Sequence, residues 1–360
     1  MIRYEGRNRE TVNLLKAIQF DGPEWTPCHV GLMPATWMKH REALEDLVLA
    51  HPRLWPGARK GQTDFDAVWG PLYEAGRRTD AWGCVWDNIQ RGLDSAVVKH
   101  PLADWAAMET WRPPDPLKDD LFGPRPTVAE LKRRMDEAKA RGDLAIGDGL
   151  PHGCMYMLLY YLRGFDNLMI DMAADEPRLQ RLIAIVEHYN SVVIRQWLEA
   201  GAERIGIADD LGMQQSVPMG PALWRKFIKP PYDRMLRPAR ERDVPVYLHS
   251  DGHILEIIPD LIEVGVRILN PQVRANGLEG LQRMARGKVA INLDLDRQLF
   301  PFATPAQIED HIGEACEMLS TKEGGLMLYA EIEPDVSLET VEVICRTLEK
   351  LCRPPMPTPR

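Results

Sequence analysis

The sequence predicts an α/β fold: a TIM (β/α)8 barrel with an N-terminal extension and a long inserted excursion over the barrel mouth. Three observations predict it. From about residue 144, short runs rich in Val, Ile and Leu alternate with longer segments of helical period. The runs end in polar residues, as the strands of a buried parallel sheet do at their carboxyl ends. No G-x-G-x-x-G follows any run, which argues against a doubly wound dinucleotide-binding sheet.

Residues 1–25 read as a helical extension. The first strand is Pro27-Cys28-His29-Val30-Gly31-Leu32. A second early strand falls either in Ala67-Val68-Trp69 or in Trp82-Gly83-Cys84-Val85-Trp86. The proline-rich stretch 87–143 breaks the alternation and forms the excursion, with one helix near 127–141. Six strands follow: Leu144–Asp148, Arg204–Asp210, Val244–His249, Val266–Asn270, Lys288–Asn292 and Gly325–Ala330. Between them, Leu179, Leu182, Ile183 and Val186 keep the spacing of an apolar helix face. Pro221 and Pro305 stand where helices begin, and Ser337 opens the last one. Residues 353–360 form a loose tail. Residues 1–360 are thus read as one barrel domain.

Composition narrows the function. The chain has 360 residues, 44 basic and 53 acidic, for a net charge of −9, with 45% hydrophobic residues. That is enough apolar material for a large core, and it excludes a disordered chain or a coiled coil. No basic stripe offsets the acidic balance, so nucleic acid and anionic membranes are not expected partners. The N-terminus lacks an apolar signal core, and no apolar run nears the roughly 18 residues of a membrane span. Six cysteines without a CxxC pair suggest reduced thiols in a cytoplasmic protein. Eight of ten tryptophans lie in the first 111 residues, either packing long loops or lining a pocket for a planar ligand.

The strand ends carry the chemistry. They are Asp148, Asp209-Asp210, His249 and Asp251, Asn270 and Gln272, Asp294 and Asp296, and Glu331 and Glu333. In a closed barrel these converge on one point. In His249-Ser250-Asp251-Gly252, alternate residues of a strand point the same way, so His249 and Asp251 share a side. With Glu331 they make a histidine and two carboxylates, a zinc set with one open position. The competing reading has Asp251 capping a helix that begins near Ile254. His152-Gly153-Cys154 and Trp82-Gly83-Cys84 are weaker, because a cysteine beside a strand is more often buried filler. No G-x-S-x-G, P-loop or HExxH occurs.

Several segments resemble the uroporphyrinogen decarboxylase-like superfamily. They are Asp209-Asp210-Leu211-Gly212-Met213-Gln214-Gln215 with Pro221–Pro230, Leu248-His249-Ser250-Asp251-Gly252 with Ile257–Gly265, and Leu269-Asn270-Pro271-Gln272. Tyr161–Leu168 and Thr79–Trp86 are also similar. The resemblance covers nearly the whole chain and implies a TIM barrel. True decarboxylases of this superfamily carry an N-terminal arginine motif that grips a polyanionic tetrapyrrole. The matching stretch here, Pro27–Trp37, contains no arginine.

The resemblance therefore points to the other branch, cobalamin-dependent methyltransferases, whose zinc is held by H-x-C and a distant Cys. His249 matches the histidine and Asp251 the first cysteine. Glu331 best matches the second, with Glu333 as its competitor. Exchanging thiolates for carboxylates makes the site harder. That fits demethylation of an ether oxygen, such as a methoxylated aromatic compound, and suits the tryptophans. The implied cofactors are zinc and a cobalamin or corrinoid methyl acceptor on a partner carrier protein, since no D-x-H-x-x-G pattern occurs in the chain. Asp210, Asp80 and Gln272 are the catalytic candidates. Trp82, Trp86, His152, Asn270 and Asp294 are the substrate-binding ones. A homodimer is compatible with this reading. Two alternatives stand beside it. One is a decarboxylase of a smaller acid, with Asp80 or Asp210 stabilising a protonated intermediate. The other is a non-catalytic tetrapyrrole- or corrinoid-binding protein.

Overall fold

A computed structural model of the chain describes residues 2–150 and 153–352. The expected tail at 353–360 and His152 lie outside the described residues. Among the described residues there are ten strands: β1 (Cys28–Leu32), β2 (Gly76–Thr79), β3 (Val85–Asn88), β4 (Ala96–Lys99), β5 (Ile146–Gly147), β6 (Arg204–Ala208), β7 (Val246–Ser250), β8 (Val266–Pro271), β9 (Ala290–Asp294) and β10 (Leu326–Ile332). The backbone groups into two compact units. One spans Met1–Leu15, Arg77–Asp87 and Ala96–Pro271; the other spans Lys16–Gly76, Asn88–Ser95 and Gln272–Arg360, each as far as the described residues reach.

In the first unit β5, β6, β7 and β8 are parallel neighbours in that order. Strand β7 alternates buried and half-buried residues, so Val246, Leu248 and Ser250 face one way and Tyr247 and His249 the other. Helix Pro177–Ala200 buries Leu179, Leu182, Ile183, Val186, Tyr189, Val193, Ile194 and Trp197, a stripe at helical spacing. Each such side chain contributes about 1.5–3 kcal/mol of burial. Trp197 sits over Gly147 so closely that a Cβ there would lie 2.6 Å from the Trp197 Cβ. In the second unit β1 pairs with β10 and β10 with β9, all parallel. Helices Pro34–Ala50, Pro305–Leu319 and Leu338–Cys352 pack with them.

The α/β class and the parallel strands follow the sequence reading. The extra early strand does not. Residues 67–69 form no strand, and 82–86 contribute only the start of β3. That strand pairs antiparallel with β4 in a small sheet with β2. Its neighbours Gly76–Thr79 and Ala96–Lys99 are mostly exposed and carry Arg77, Arg78 and Lys99, too polar for a strand buried on both faces. Among the described residues the parallel strands therefore number seven.

From Ala96 on, the 87–143 excursion is anchored within the first unit. Buried Arg163 bonds Asp171 at 2.8 Å, donates to the carbonyls of Leu102 and Ala103, and lies 4.0 Å over Trp105. Arg125 donates to the Tyr189 hydroxyl at 3.2 Å. The excursion's helix, Val128–Ala140, starts at a capping box of Thr127 and Glu130.

Candidate metal centre

The site of the first unit is built from two loops fastened to each other. One follows β6, Asp209-Asp210-Leu211-Gly212; the other follows β7, Ser250-Asp251-Gly252-His253. The Asp209 amide donates to the His249 carbonyl at 3.0 Å, and the Leu211 amide donates to Ser250 Oγ at 3.0 Å. The Asp251 amide donates to Asp210 Oδ1 at 3.0 Å, and the Gly212 amide to the Asp251 carbonyl at 3.2 Å. Gly212 and Gly252 touch backbone to backbone. Gly252 has φ +78°, and a methyl group on it would run into the Gly212 carbonyl. Only glycine permits that conformation and that approach.

The two aspartates that adjoin in sequence have different tasks. Asp209 is fully buried and accepts from the amides of Tyr156 and Met157 and from the Tyr232 hydroxyl, at 2.8, 2.9 and 2.7 Å. Burial pushes its pKa up to about 6 against those bonds. It anchors the start of helix Tyr156–Arg163. Asp210 instead reaches His249: its Oδ1 lies 3.8 Å from His249 Nε2, and Asp251 Oδ1 lies 3.3 Å from the same nitrogen. One ligand atom from each of the three lies within 4.8 Å of the others.

Asn270 sets the orientation of the ring. Its Oδ1 lies 2.8 Å from His249 Nδ1 and accepts from the Tyr247 hydroxyl at 2.8 Å. An amide oxygen can only accept, so Nδ1 carries a proton and Nε2 is the nitrogen aimed at the carboxylates. Burial opposes a charged ring here. The Asp251 hydrogen bond and the charges of Asp251 and Asp210 outweigh it and hold His249 up to about 9. The donors fit a divalent ion. Metal bonds of about 2.1 Å place tetrahedral ligand atoms about 3.4 Å apart. One nitrogen and two carboxylate oxygens are a donor set that zinc accepts. The position that caps the helix after this loop belongs to another residue than Asp251. The short helix Leu255–Ile257 has Ile254 at its N-cap with no side-chain hydrogen bond.

The remaining candidates divide between the units. In the first unit Asp80 is buried, and burial raises its pKa. It accepts from the Cys84 amide at 2.9 Å and from Trp86 Nε1 at 2.7 Å, which ties up both oxygens. Trp82 is 1% exposed, stacked on Trp111 and edge-on to Tyr189, so it packs the interior. Trp86 stands edge-on to Tyr161 with 4.9 Å between centroids. The Tyr161 phenol is pushed above its usual pKa by burial, then by the charges of Asp210 and Asp209.

In the second unit Gln272 bridges to Asp294, and the Gln272 carbonyl accepts from the Asn276 amide group at 2.8 Å. Glu331 is engaged at both oxygens, by Arg297 and by the Tyr329 hydroxyl at 2.8 Å. Arg297 also lies 3.3 Å from Asp294, which is 1% exposed. Glu333 is pushed up to about 7 by burial and by the charge of Glu331. The first unit thus supplies a second carboxylate, Asp210, beside the H-x-D pair. The sequence reading makes Asp210 a catalytic candidate and not a metal ligand. Tyr247, two residues before His249 on the same strand face, was legible from the alternation and was missed. Tyr161, Arg297 and Tyr329 carried no such signal.

The family model described as uroporphyrinogen decarboxylase (URO-D) matches residues 80–351. The chain belongs to that family. Every described candidate residue falls inside the matched segment of this URO-D chain. No curated protein sequence matches it. Among solved structures it is similar to a methyltransferase from Methanosarcina mazei, at 18% identity and TM-score 0.58, covering 95% of this chain and 98% of that one. That likeness concerns the fold. A B12-independent methionine synthase from Shewanella sp. W3-18-1 is more distant, at 11% identity and TM-score 0.34, covering 47% of this chain and 53% of that one.

Proposed function

We propose that this URO-D family chain is a cytoplasmic, metal-assisted methyltransferase. It takes the methyl group of a methyl ether, foremost a methoxylated aromatic compound, and passes it to cob(I)alamin on a separate corrinoid protein. The observation that carries the proposal is the arrangement of His249. Its Nδ1 proton is tied to Asn270, and its Nε2 is turned toward Asp251 and Asp210. A zinc ion bound there would supply Lewis acidity to the ether oxygen.

The chain's own residues prepare that chemistry. Asn270 and Tyr247 fix the ring tautomer, as outer partners of a metal-bound histidine do. Asp210 and Asp251 provide two anionic oxygen donors, which favour an oxygen substrate over a thiol. The Gly212–Gly252 contact and the four loop hydrogen bonds hold both carboxylates in place. Half-buried Tyr161, braced edge-on by the buried Trp86, is the aromatic side chain that would meet the substrate ring. When the C–O bond breaks, its electron pair stays on the ether oxygen and the methyl group leaves for the acceptor.

The test mixes the zinc-loaded protein with cob(I)alamin and a panel of methoxyarenes. Loss of cob(I)alamin absorbance and appearance of the free phenol are expected, with both abolished by a chelator. Silence across a broad panel would sink the proposal. Full turnover of a carboxylic acid after metal removal would favour the decarboxylase reading instead.

A further inference from the structure

Away from the candidate metal centre, the second unit places two cysteines of neighbouring helices together. Cys316 belongs to helix Pro305–Leu319, and Cys352 is the last residue of helix Leu338–Cys352. Their sulfurs lie 3.8 Å apart. Cys352 is 1% exposed, whereas Cys316 is half-buried and so is the sulfur a reagent can reach. We propose that Cys316 and Cys352 form a peroxide-sensitive dithiol that closes to a disulfide and ties the C-terminal helix to its neighbour.

Closing the bond shortens the separation from 3.8 Å to about 2.05 Å, a shift that rotamer changes and a small movement of the helix end can supply. The chemistry distinguishes this pair from the three buried thiols outside it. Burial raises the pKa of Cys84, Cys154 and Cys345, which keeps them protonated and inert. Cys316 is lowered by the hydrogen bond from Cys352.

The reaction balances. The Cys316 thiolate attacks one oxygen of hydrogen peroxide, the O–O bond breaks, and hydroxide leaves and takes a proton to become water. The Cys352 sulfur then attacks the sulfenic sulfur. An S–S bond forms, the S–O bond breaks, and a second water carries off the Cys352 proton. Two thiols are oxidised and one peroxide is reduced. The link closes a loop with a sequence separation of 36 residues. It constrains the helix whose Glu342 and Glu349 grip His51 at 2.9 and 3.0 Å. This inference does not depend on the proposed methyl transfer.

The experiment treats the reduced full-length protein with hydrogen peroxide and titrates thiols after denaturation. The six thiols of the chain should fall by two, and peptide mapping should find Cys316 joined to Cys352. Dithiothreitol should restore all six. In Cys352→Ser the sulfenic acid on Cys316 has no resolving thiol, so dimedone should label Cys316. In Cys316→Ser no link and no label should form. Hydrogen exchange should slow across Leu338–Cys352 in the oxidised protein alone. An unchanged titre, a bridge between any other pair, or dimedone on another cysteine would overturn the proposal.

Discussion

Asn270→Leu separates the metal reading from a merely structural one. Asn270 is 2% exposed, and its Oδ1 receives His249 Nδ1 and the Tyr247 hydroxyl, each at 2.8 Å. Leucine has the same branched shape and the same number of side-chain heavy atoms but no acceptor, so the site stays filled while two donors lose this acceptor. Each donor stripped of its acceptor costs at most about 1–3 kcal/mol, less where water reaches it, which puts the loss of stability at no more than about 2–6 kcal/mol. The effect on metal is distinct. Without an acceptor at Nδ1, the ring proton can sit on Nε2, where it blocks the nitrogen that faces Asp251 and Asp210. Loss of an outer partner of this kind weakens metal binding about 10- to 100-fold. Zinc affinity is measured by competition with a chromophoric chelator, and circular dichroism confirms that the variant is folded. Asn270→Asp keeps an acceptor oxygen and should retain zinc. A folded Asn270→Leu protein that binds zinc as tightly as the parent would refute the argument.

Four further outcomes are expected. Asp251→Ala should weaken zinc beyond the roughly 100-fold that an outer partner can account for, while Asp251→Cys should keep it; unchanged metal stoichiometry in the alanine variant would remove Asp251 from the ligand set. Asp210→Asn should lose zinc and Glu331→Gln should keep it, and elemental analysis showing the reverse would return the third position to Glu331. Gly252→Ala forces a side chain onto φ +78° and into the Gly212 carbonyl, so its urea midpoint should fall by the equivalent of about 1–3 kcal/mol or more; an unchanged midpoint would contradict the packed loop pair. His249 in the metal-free protein has its pKa raised from 6.5 to about 9. Its contribution to stability is therefore complete below 6.5 and is lost as the pH rises through about 9. Within that window zinc must expel the proton, so binding should release one proton to a weakly buffered indicator, and none released would mean that His249 is not a ligand.

Much of this protein was fixed locally and could be read from the sequence. The short apolar runs became β5 to β10 because a strand buried on both faces needs nothing more than continuous Val, Ile and Leu. Pro305, behind the capping pair Thr304 and Gln307, started its helix where such residues start helices. Strand alternation put His249 on the half-buried face of β7, and Asp251, one residue beyond the strand, came within 3.3 Å of its ring. Other features depend on residues far apart in the chain. The sequence offered Asp209 and Asp210 as an equivalent pair. Only the meeting of Tyr156, Met157 and Tyr232 made one an anchor and left the other for His249. The sequence offered Trp82 as pocket lining, and its stacking with Trp111 and Tyr189 took it inside. It offered residues 67–69 or 82–86 as a barrel strand, and pairing with the exposed Ala96–Lys99 strand placed β3 in a separate antiparallel sheet. The tautomer of His249 likewise waited on Asn270, one strand away. Periodicity reports which side a residue faces, whereas a partner 21 positions along the chain is chosen by strand register, which only the folded sheet sets.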